Sequence, residues 1–223
     1  MTTNVPDRDL RQRDIIPPEA LARCRATVVG VGAIGRQVAL QLAAMGISWL
    51  QLIDHDTVEA VNLAPQGYLE EDLGRAKVQP TADLCRKINP RMELHQVREK
   101  YRRTLAQQDN VLFSCVDSIE TRRHIWEVVN QRVEFFSDGR MSAEVIRVLT
   151  ACDGPSRGHY PTTLFAAGES FQGSCTGRST IFTANIAAGL MLQQFSRWLR
   201  RMPVEPDLSL NLLAGEMTCA AVT

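Results

Sequence analysis

The sequence predicts an α/β fold in which a mostly parallel sheet carries helices on both faces and has antiparallel strands in its C-terminal part. Short apolar segments alternate with segments of helical periodicity, with strands expected at 26–31, 49–53, 93–97, 111–116 and 133–137 and helices at 34–46, 76–88 and 119–131. This alternation requires crossover connections and therefore a parallel sheet. A glycine-rich turn follows the first strand, and the alternation stops after residue 140. Together these observations predict a Rossmann-like sheet.

The elements are expected to form one domain. Its parts are an N-terminal arm, a core, a crossover loop and a C-terminal helix with a strand, at 1–25, 26–150, 151–178 and 179–223. The arm contains a short helix that begins at Pro17-Pro18, because proline suits the first helical turn. The segment "MSAEVIRVLTAC" is one longer β-prone run, and the crossover loop is rich in Gly, Pro, Ser and Thr. The last helix has a Ser/Thr start, and a strand follows in which Leu208, Leu210 and Leu212 alternate with polar residues.

The composition excludes several classes of protein. Lys+Arg and Asp+Glu both number 25 in 223 residues, so no bulk charge favours nucleic acid or a membrane surface. No run approaches the length of a membrane span, and the start of the chain lacks the apolar segment of a signal peptide. The six cysteines are scattered without a C-x-x-C pair, so we expect no zinc and reduced thiols in the cytoplasm.

A glycine motif, Gly30-x-Gly32-x-x-Gly35, lies between the first predicted strand and the first long helix. The first two glycines allow a tight turn and close approach of phosphate, and the third lets the helix pack on the strand. Asp54 ends the next strand, where an acid can bind a ribose hydroxyl, and Asp56 follows it. These residues predict an adenine nucleotide but leave NAD and ATP as alternatives. A glycine turn needed only for packing, and an acid that only caps a turn, are the structural alternatives.

The segment "DHDTVEAVNLAPQGYLEEDLGRAKVQ" favours ATP over NAD. It contains Asn62, Gln66, Arg75 and Lys77 between a loop and a helix start. A lysine and amides near a helix start suit a triphosphate better than a nicotinamide. Taken alone, Lys77 is better explained as a solvated helix lysine. His55 lies between two acids, and we interpret it as a residue of a surface turn rather than a metal ligand.

Asp117 ends the predicted strand in "VLFSCVDSIETRR". That position is at the carboxyl edge of the sheet, where open α/β sheets bind ligands. A carboxylate opposite a triphosphate is a suitable Mg²⁺ ligand, since Mg²⁺ prefers one or two carboxylates together with phosphate oxygens. The alternative is that Asp117 caps the following helix, and both roles can coexist.

These motifs, in this order, resemble the E1-like adenylyltransferase family of the ThiF, MoeB and HesA type. The resemblance runs from "LRQRDIIP" and "VVGVGAIG" through "LIDHDTVEAVNLAPQ", "DLGRAKV", "INP" and "SCVDSIETR" to "CTGRSTIFTANIAAGLM". It implies that residues 26–150 bind the nucleotide, with Asp54 on the ribose and Asp117 near Mg²⁺. It also implies phosphate contacts from Asn62, Gln66 and Lys77.

The resemblance further implies a homodimer and a reaction. An arginine of the N-terminal segment, for which Arg11 is the best match and Arg8 or Arg13 are alternatives, would reach the partner's site. The reaction would be ATP-dependent adenylation of the C-terminal carboxylate of a small ubiquitin-like or sulfur-carrier β-grasp protein that ends in Gly-Gly, with release of pyrophosphate. Other hypotheses are a weakly active pseudo-E1 binding partner, an NAD-dependent oxidoreductase, and adenylation of a peptide or RNA-linked carboxylate.

Two positions bear on this function: Pro65 on the binding of phosphate, and Cys175 on the fate of the activated carrier protein. "NLAPQ" has Pro65 where the family usually has a phosphate-binding arginine, and proline has neither charge nor N–H. Arg75 and the N-terminal arginines are candidates to replace it. Cys175 in "GSCTGRST" matches a family position that can bond the activated carrier protein, and Arg178 and a helix start nearby favour its thiolate. The alternative for Cys175 is a structural loop cysteine.

Overall fold

The computed structural model describes residues 8–102, 104, 109–165 and 179–220. Eight strands form one mixed sheet in the order β3-β2-β1-β4-β5-β6-β7-β8. The strands are β1 Arg25–Val29, β2 Trp49–Ile53, β3 Glu93–Val97, β4 Val111–Ser114, β5 Phe135–Ser142, β6 Val145–Ala151, β7 Asp207–Asn211 and β8 Glu216–Cys219. Neighbouring strands from β3 to β5 are parallel, and those from β5 to β8 are antiparallel, as the sequence predicts.

Seven α-helices are present in the described ranges, with 3-10 turns at Glu70–Asp72 and Tyr160–Thr163. They are α1 Pro18–Leu21, α2 Ala33–Met45, α3 Ala60–Gln66, α4 Val78–Ile88, α5 Ile119–Val129, α6 Gly154–His159 and α7 Ile181–Leu199. The helices cover both faces of the sheet. Side chains of α1, α2, α4 and α7 pack into one core cluster, and those of α5 and the 160–164 segment pack into the other. None of these helices combines the length and apolar character that a membrane crossing needs.

The two core clusters explain why the sheet is buried. Leu50, Leu52 and Phe113 face the first cluster with Ala184 and Phe195 of α7, and all five are inaccessible to solvent. Strands with both faces covered are expected to be almost wholly apolar, and β4, "VLFS", fits that rule. On the other face, Trp126 of α5 packs with its ring centroid 5.0 Å from that of Phe136 and 4.6 Å from that of Tyr160.

The C-terminal part of the fold differs from the prediction in three places. The run "MSAEVIRVLTAC" is not one strand, because Ala143 adopts a positive φ of 52° and turns the chain between β5 and β6. The predicted crossover loop at 151–178 contains a helix near its start, since Asp153 accepts a hydrogen bond from the Ser156 amide and caps α6. The strand β8 was not predicted, and its four residues are exposed at the sheet edge.

The chain order creates a switch point at the centre of the sheet. From β1 the chain proceeds through β2 to β3 on one side, and β4 then pairs with the opposite side of β1. Ligands of open α/β sheets bind at such a point, outside the carboxyl ends of the strands. The loops that follow β1 and β4 meet there, because the amide of Cys115 donates to the carbonyl oxygen of Val29 at 2.8 Å.

Candidate functional site

The glycine motif connects β1 to α2 at this switch point. Gly30 has φ of 84°, and a Cβ there would lie 2.7 Å from the carbonyl oxygen of Cys115. A Cβ at Gly35 would overlap the carbonyl oxygen of Gly30. Gly32, the N-cap of α2, differs, since a Cβ there would meet only the Gln66 side chain, at 3.9 Å. Packing therefore explains Gly30 and Gly35, whereas Gly32 leaves open space at a helix N-terminus, where anions bind.

Asp54 lies directly after β2 and is buried. Its carboxylate accepts the Val31 amide of the glycine motif at 2.6 Å and the Asp56 amide at 2.8 Å. Two backbone donors thus hold the carboxylate and the loop in one arrangement. An ionised carboxylate has about four acceptor positions, so two remain for further donors such as ribose hydroxyls.

An open cleft adjoins this strand end. It is lined by His55, Asp56, Thr57, Glu59, Asn62, Lys77 and Arg98. Lys77 is the residue at the start of α4, as the sequence predicts, and its ammonium lies 3.0 Å from the exposed Asp56 carboxylate. The Asn62 side chain accepts the Glu59 amide at 3.0 Å and so caps α3. Two of the predicted phosphate ligands, Asn62 and Lys77, therefore line the cleft, each near the start of a helix.

His55 also lines this cleft. Its ring nitrogen lies 3.4 Å from Asp56, and Asp54, His55 and Asp56 offer ligand atoms within 4.8 Å of one another. Asp54 already binds two amides and Asp56 already binds the Lys77 ammonium. A second cation would compete with Lys77, which agrees with the interpretation of His55 as a turn residue.

Gln66 closes α3 beside the glycine motif. Its Oε1 is buried without a hydrogen-bond partner in the described part of the chain, and it is the atom nearest to a Cβ built on Gly32. A buried amide end without a partner is unfavourable, and a ligand can satisfy it. Rotation of the amide by about 180° would present its NH₂ group to the space above Gly32. This side chain fits an oxygen-rich ligand at the helix N-terminus.

Two residues that the sequence reasoning missed hold these parts together. The hydroxyl of buried Tyr68 donates to the carbonyl oxygen of Val31 at 2.6 Å, and the guanidinium of Arg36 lies 4.2 Å from the Tyr68 ring. Arg36 also donates to Thr81 at 2.9 Å and to the Gly67 carbonyl at 3.1 Å. Burial raises the pKa of Tyr68, so its hydroxyl stays protonated and continues to donate. An arginine directly after the last glycine, within an apolar helix, was the available signal.

Asp117 lies at the opposite side of the switch point, three residues beyond the end of β4. It does not cap the next helix, since Ser118 is the N-cap of α5 and accepts the Thr121 amide at 3.3 Å. The Asp117 side chain is exposed, and within the described ranges its carboxylate has no hydrogen-bond or ion-pair partner. Its carbonyl oxygen accepts from Arg122 at 2.9 Å. The carboxylate is therefore free of competing contacts and suits a hydrated Mg²⁺ ion.

A buried ionic cluster holds the loop that contains Asp117. The fully buried Asp138 of β5 lies 2.8 Å from both Arg122 and Arg140 and accepts from the Tyr160 hydroxyl at 3.0 Å. Burial alone would raise the pKa of Asp138, but the two guanidinium groups outweigh it and the pKa lies below its ordinary value. The carboxylate therefore stays ionised and fixes Arg122, which in turn holds the loop.

Arg75 does not lie in the cleft with Lys77. Its guanidinium binds Asp72 at 3.0 Å and Asp83 at 2.6 Å, and these contacts raise its pKa. Arg98, which the sequence reasoning did not select, lines the cleft instead. Its signal was available, because Arg98 directly follows β3 and so lies at the same edge of the sheet as Asp54.

The N-terminal arginines lie at the other end of α2. Arg8 donates to the carbonyl oxygens of Ala43, Ala44 and Ile88, at the C-terminal ends of α2 and α4. A helix of the length of α2 separates these ends from the glycine motif by about 20 Å. Arg11 is exposed, with no hydrogen-bond or ion-pair partner in the described part of the chain. Arg11 is therefore too far from the glycine motif of its own chain to contact a ligand there.

Cys175 and Arg178 lie outside the described residues. The chain that leads towards them is held by two arginines. Arg123 donates to the Leu164 carbonyl at 2.8 Å, and Arg140 donates to the Thr163 carbonyl at 2.9 Å. After the gap, α7 starts as predicted, with Thr180 as N-cap.

Comparison with curated proteins finds adenylyltransferases among the relatives. The chain is 30% identical over 121 residues to a molybdopterin-synthase adenylyltransferase of Salmonella typhimurium, which covers 52% of this chain and 49% of that protein. It is 35% identical over 107 residues to the adenylyltransferase and sulfurtransferase MOCS3 of Mus musculus, which covers 46% of this chain and 23% of that protein. The chain therefore spans about half, or less, of the length of these relatives.

Solved structures share the whole fold at low sequence identity. Escherichia coli MccB with AMPCPP and MccA superposes with a TM-score of 0.76 at 16% identity, over 98% of this chain and 72% of that one. PaaA superposes with the same TM-score at 20% identity, over 97% of this chain and 69% of that one. A family model described as the ThiF family matches residues 8–208, which include β1 to β6, all seven helices and the glycine motif. The chain belongs to the ThiF family.

Proposed function

We propose that the protein adenylates the C-terminal carboxylate of a small ubiquitin-like or sulfur-carrier β-grasp protein, with ATP as the second substrate. One observation carries this proposal. The open helix N-terminus at Gly32, the Asp54 carboxylate and the cleft with Asn62 and Lys77 lie at the same edge of the sheet. The names of the curated relatives, which include adenylyltransferases of molybdopterin synthase, support the choice of reaction.

The nucleotide would bind along this edge. Asp54 accepts a ribose hydroxyl with the lone pairs that its two amide contacts leave available. The amides at the start of α2 and the reoriented Gln66 amide donate to phosphate oxygens. Lys77 donates to the phosphates once its ammonium leaves Asp56, and Asn62 keeps α3 in place beside it. NAD would leave Lys77 and Asp117 without a role.

Mg²⁺ fits the exposed Asp117 carboxylate, which has no competing partner in the described ranges. When bound, the ion would neutralise charge on the phosphates. The buried Asp138 and Arg122 hold the backbone of the Asp117 loop in place before the nucleotide arrives. Zinc is not expected, since the sequence has no C-x-x-C pair.

The chemistry requires positioning and charge neutralisation rather than a general base. A C-terminal carboxylate is already ionised near neutral pH and can attack the α-phosphorus directly. The new O–P bond forms as the bond to pyrophosphate breaks, and the product is an acyl-adenylate. Cationic groups that stabilise charge on the leaving pyrophosphate lower the barrier. Lys77 lines the cleft and can take this task once its ammonium leaves Asp56.

We further propose a homodimer in the cytoplasm and a later covalent step. Gln12, the neighbour of Arg11, donates to the Met45 carbonyl at the far end of α2 from the glycine motif, so a role for Arg11 in the site would require a second copy of the chain. Cys175 would attack the acyl-adenylate as a thiolate, forming a thioester as AMP leaves. The thiolate carries no proton to dispose of in this step.

A second candidate function is a non-catalytic partner that binds nucleotide or a β-grasp protein without adenylation. Pro65 favours it, because proline occupies α3 where the family usually has a phosphate-binding arginine. Proline supplies neither charge nor N–H, and the loss of one charge-assisted phosphate contact would cost a few kcal/mol unless another residue replaces it.

ATP–pyrophosphate exchange tests the proposal. Exchange that depends on a Gly-Gly-ended β-grasp protein is expected from adenylation. ATP binding without exchange, over a panel of such proteins, would support the non-catalytic partner. Tight binding of NAD with no binding of ATP would overturn both candidates.

A further inference from the structure

Arg98 occupies a position next to Asp54 that the known motifs do not assign. β2 and β3 are parallel with Ile53 paired to Val97, and the Asp54 amide donates to the Val97 carbonyl at 3.1 Å. The residues that follow the two strands, Asp54 and Arg98, therefore lie side by side at the carboxyl edge of the sheet. The cleft at this edge is lined by both Arg98 and Lys77.

Three other cations near this edge, Lys77, Arg75 and Arg36, are already engaged. Lys77 is paired with Asp56 at 3.0 Å, and Arg75 is paired with Asp72 and Asp83 outside the cleft. Arg36 is buried in contacts with Tyr68 and Thr81. Arg98 is exposed and has neither an ion pair nor a hydrogen bond in the described part of the chain. Its guanidinium is therefore available to an anion that enters the cleft.

We propose that Arg98 binds a phosphate group of the nucleotide and supplies the positive charge that Pro65 lacks. The inference rests on the proposed function, because it requires a nucleotide in the cleft. Asp56 and Glu59 line the same cleft, so an unpaired guanidinium there offsets part of the repulsion that a triphosphate would meet. The planar donor fork of arginine also matches phosphate geometry in a bidentate contact, which a lysine cannot make.

Arg98 would explain how ATP binding is retained although Pro65 replaces an arginine. Replacement of a phosphate-binding arginine by proline would weaken ATP binding if the charge were simply lost. Arg98 supplies this charge from the residue after β3 rather than from α3, and both segments line the cleft. The family function is then retained with a rearranged set of ligands, and Arg75 is not required for it.

Titration calorimetry with ATP, adenosine and inorganic tripolyphosphate tests this role. Arg98→Gln removes the charge, and Arg98→Lys retains it. Arg91→Gln is the matched control, because Arg91 is an exposed arginine just before the start of β3, at the opposite edge of the sheet. We expect Arg98→Gln to weaken ATP and tripolyphosphate at least tenfold and to leave adenosine unchanged. Arg98→Lys should bind ATP more tightly than Arg98→Gln, and Arg91→Gln should match the wild type.

Each contrary result has a distinct meaning. Unchanged ATP affinity in Arg98→Gln, with ATP bound by the wild type, would overturn the inference and leave the proposed function standing. Equal losses of ATP and adenosine affinity would also overturn it, since they would assign Arg98 to the base or ribose. A wild-type protein that binds none of the three ligands would overturn the proposed function and, with it, this role of Arg98. Urea unfolding of each variant would show whether Arg98→Gln alters the fold.

Discussion

Substitution of Gly32 by alanine separates a ligand-binding glycine from the packing glycines beside it. A Cβ at Gly32 would lie 3.9 Å from the Gln66 side chain and would meet no other protein atom within 4 Å. A Cβ at Gly35 would overlap the Gly30 carbonyl oxygen, which is backbone and cannot move without displacing the turn. The structure therefore predicts that Gly32→Ala folds and that Gly35→Ala is strongly destabilised.

The stability change at Gly32 can be worked out from two opposing effects. Gly32 is the N-cap of α2 with φ of −83°, where alanine is a poorer cap than glycine by about 0.5–1 kcal/mol. Alanine also lowers the conformational entropy of the unfolded chain, which stabilises the protein by about 0.4–1 kcal/mol. These two effects nearly cancel, but the ψ of −147° at Gly32 lies outside the broad β region and adds strain for alanine, so we expect a loss of about 1 kcal/mol in the free energy of unfolding. For Gly35→Ala we expect a loss of several kcal/mol, at the scale of a severe overpacking clash.

In contrast to stability, nucleotide binding should be strongly affected by Gly32→Ala. A methyl group on Gly32 projects into the space where phosphate oxygens would approach the amides of α2. We expect at least tenfold weaker ATP binding, measured by calorimetry, and only a small decrease in the midpoint of urea unfolding. A loss of more than about 2 kcal/mol in Gly32→Ala would mean that Gly32 is a packing residue after all. Full ATP affinity in a folded Gly32→Ala would mean that phosphate does not approach this helix end.

Three further predictions concern the buried cluster, the thiol and the dimer. Asp138→Asn should lose about 3–5 kcal/mol in urea unfolding, because Arg122 stays buried without its counter-charge. Since the pKa of Asp138 is lowered by folding, its stabilising effect is complete above about pH 4, the value of an unfolded aspartate, and falls as the pH drops through the folded pKa. The wild type should therefore lose stability below pH 4 more steeply than Asp138→Asn does. Cys175→Ala should retain carrier-dependent pyrophosphate exchange and form no thioester on gels without reductant; a thioester in this variant would exclude Cys175 as the nucleophile. Mixing inactive Arg11→Ala with inactive Asp117→Ala should restore up to a quarter of wild-type exchange, because half of the dimers are mixed and each mixed dimer has one site with both residues intact. No recovery would contradict a role for Arg11 across the dimer.

The central fold was predictable because its signals are local. Strands β2 and β3 were predicted with their observed bounds, since each is a short β-prone segment between a helix and a turn. Helices α2 and α5 were predicted within two residues at each end, because Gly32 and Ser118 begin them. The hairpin between β5 and β6 was missed, since it turns at an alanine with positive φ rather than at glycine or asparagine.

The positions of the candidate site residues were predictable only where the local sequence determines them. Asp54 and Lys77 are a strand-end acid and a helix-start lysine, and both positions were correct. Arg75 is near Lys77 in sequence, yet its side chain turns away to Asp72 and Asp83, which no spacing rule indicates. Arg98 is 21 residues from Lys77 and enters the cleft only through the pairing of β3 with β2. Sequence periodicity does not predict long-range strand pairing of this kind.

The contacts of Arg8 have a practical consequence for any truncated or tagged form of the protein. This one side chain donates to carbonyl groups at the C-terminal ends of both α2 and α4, where the last carbonyls of a helix have no partner within the helix itself. A truncation that removes Arg8 and Arg11 together would loosen two helix ends and delete the candidate dimer residue at once. Loss of activity in such a truncation would not distinguish these causes. Point variants of Arg11 in a chain that keeps Arg8, with any affinity tag placed upstream of it, separate them.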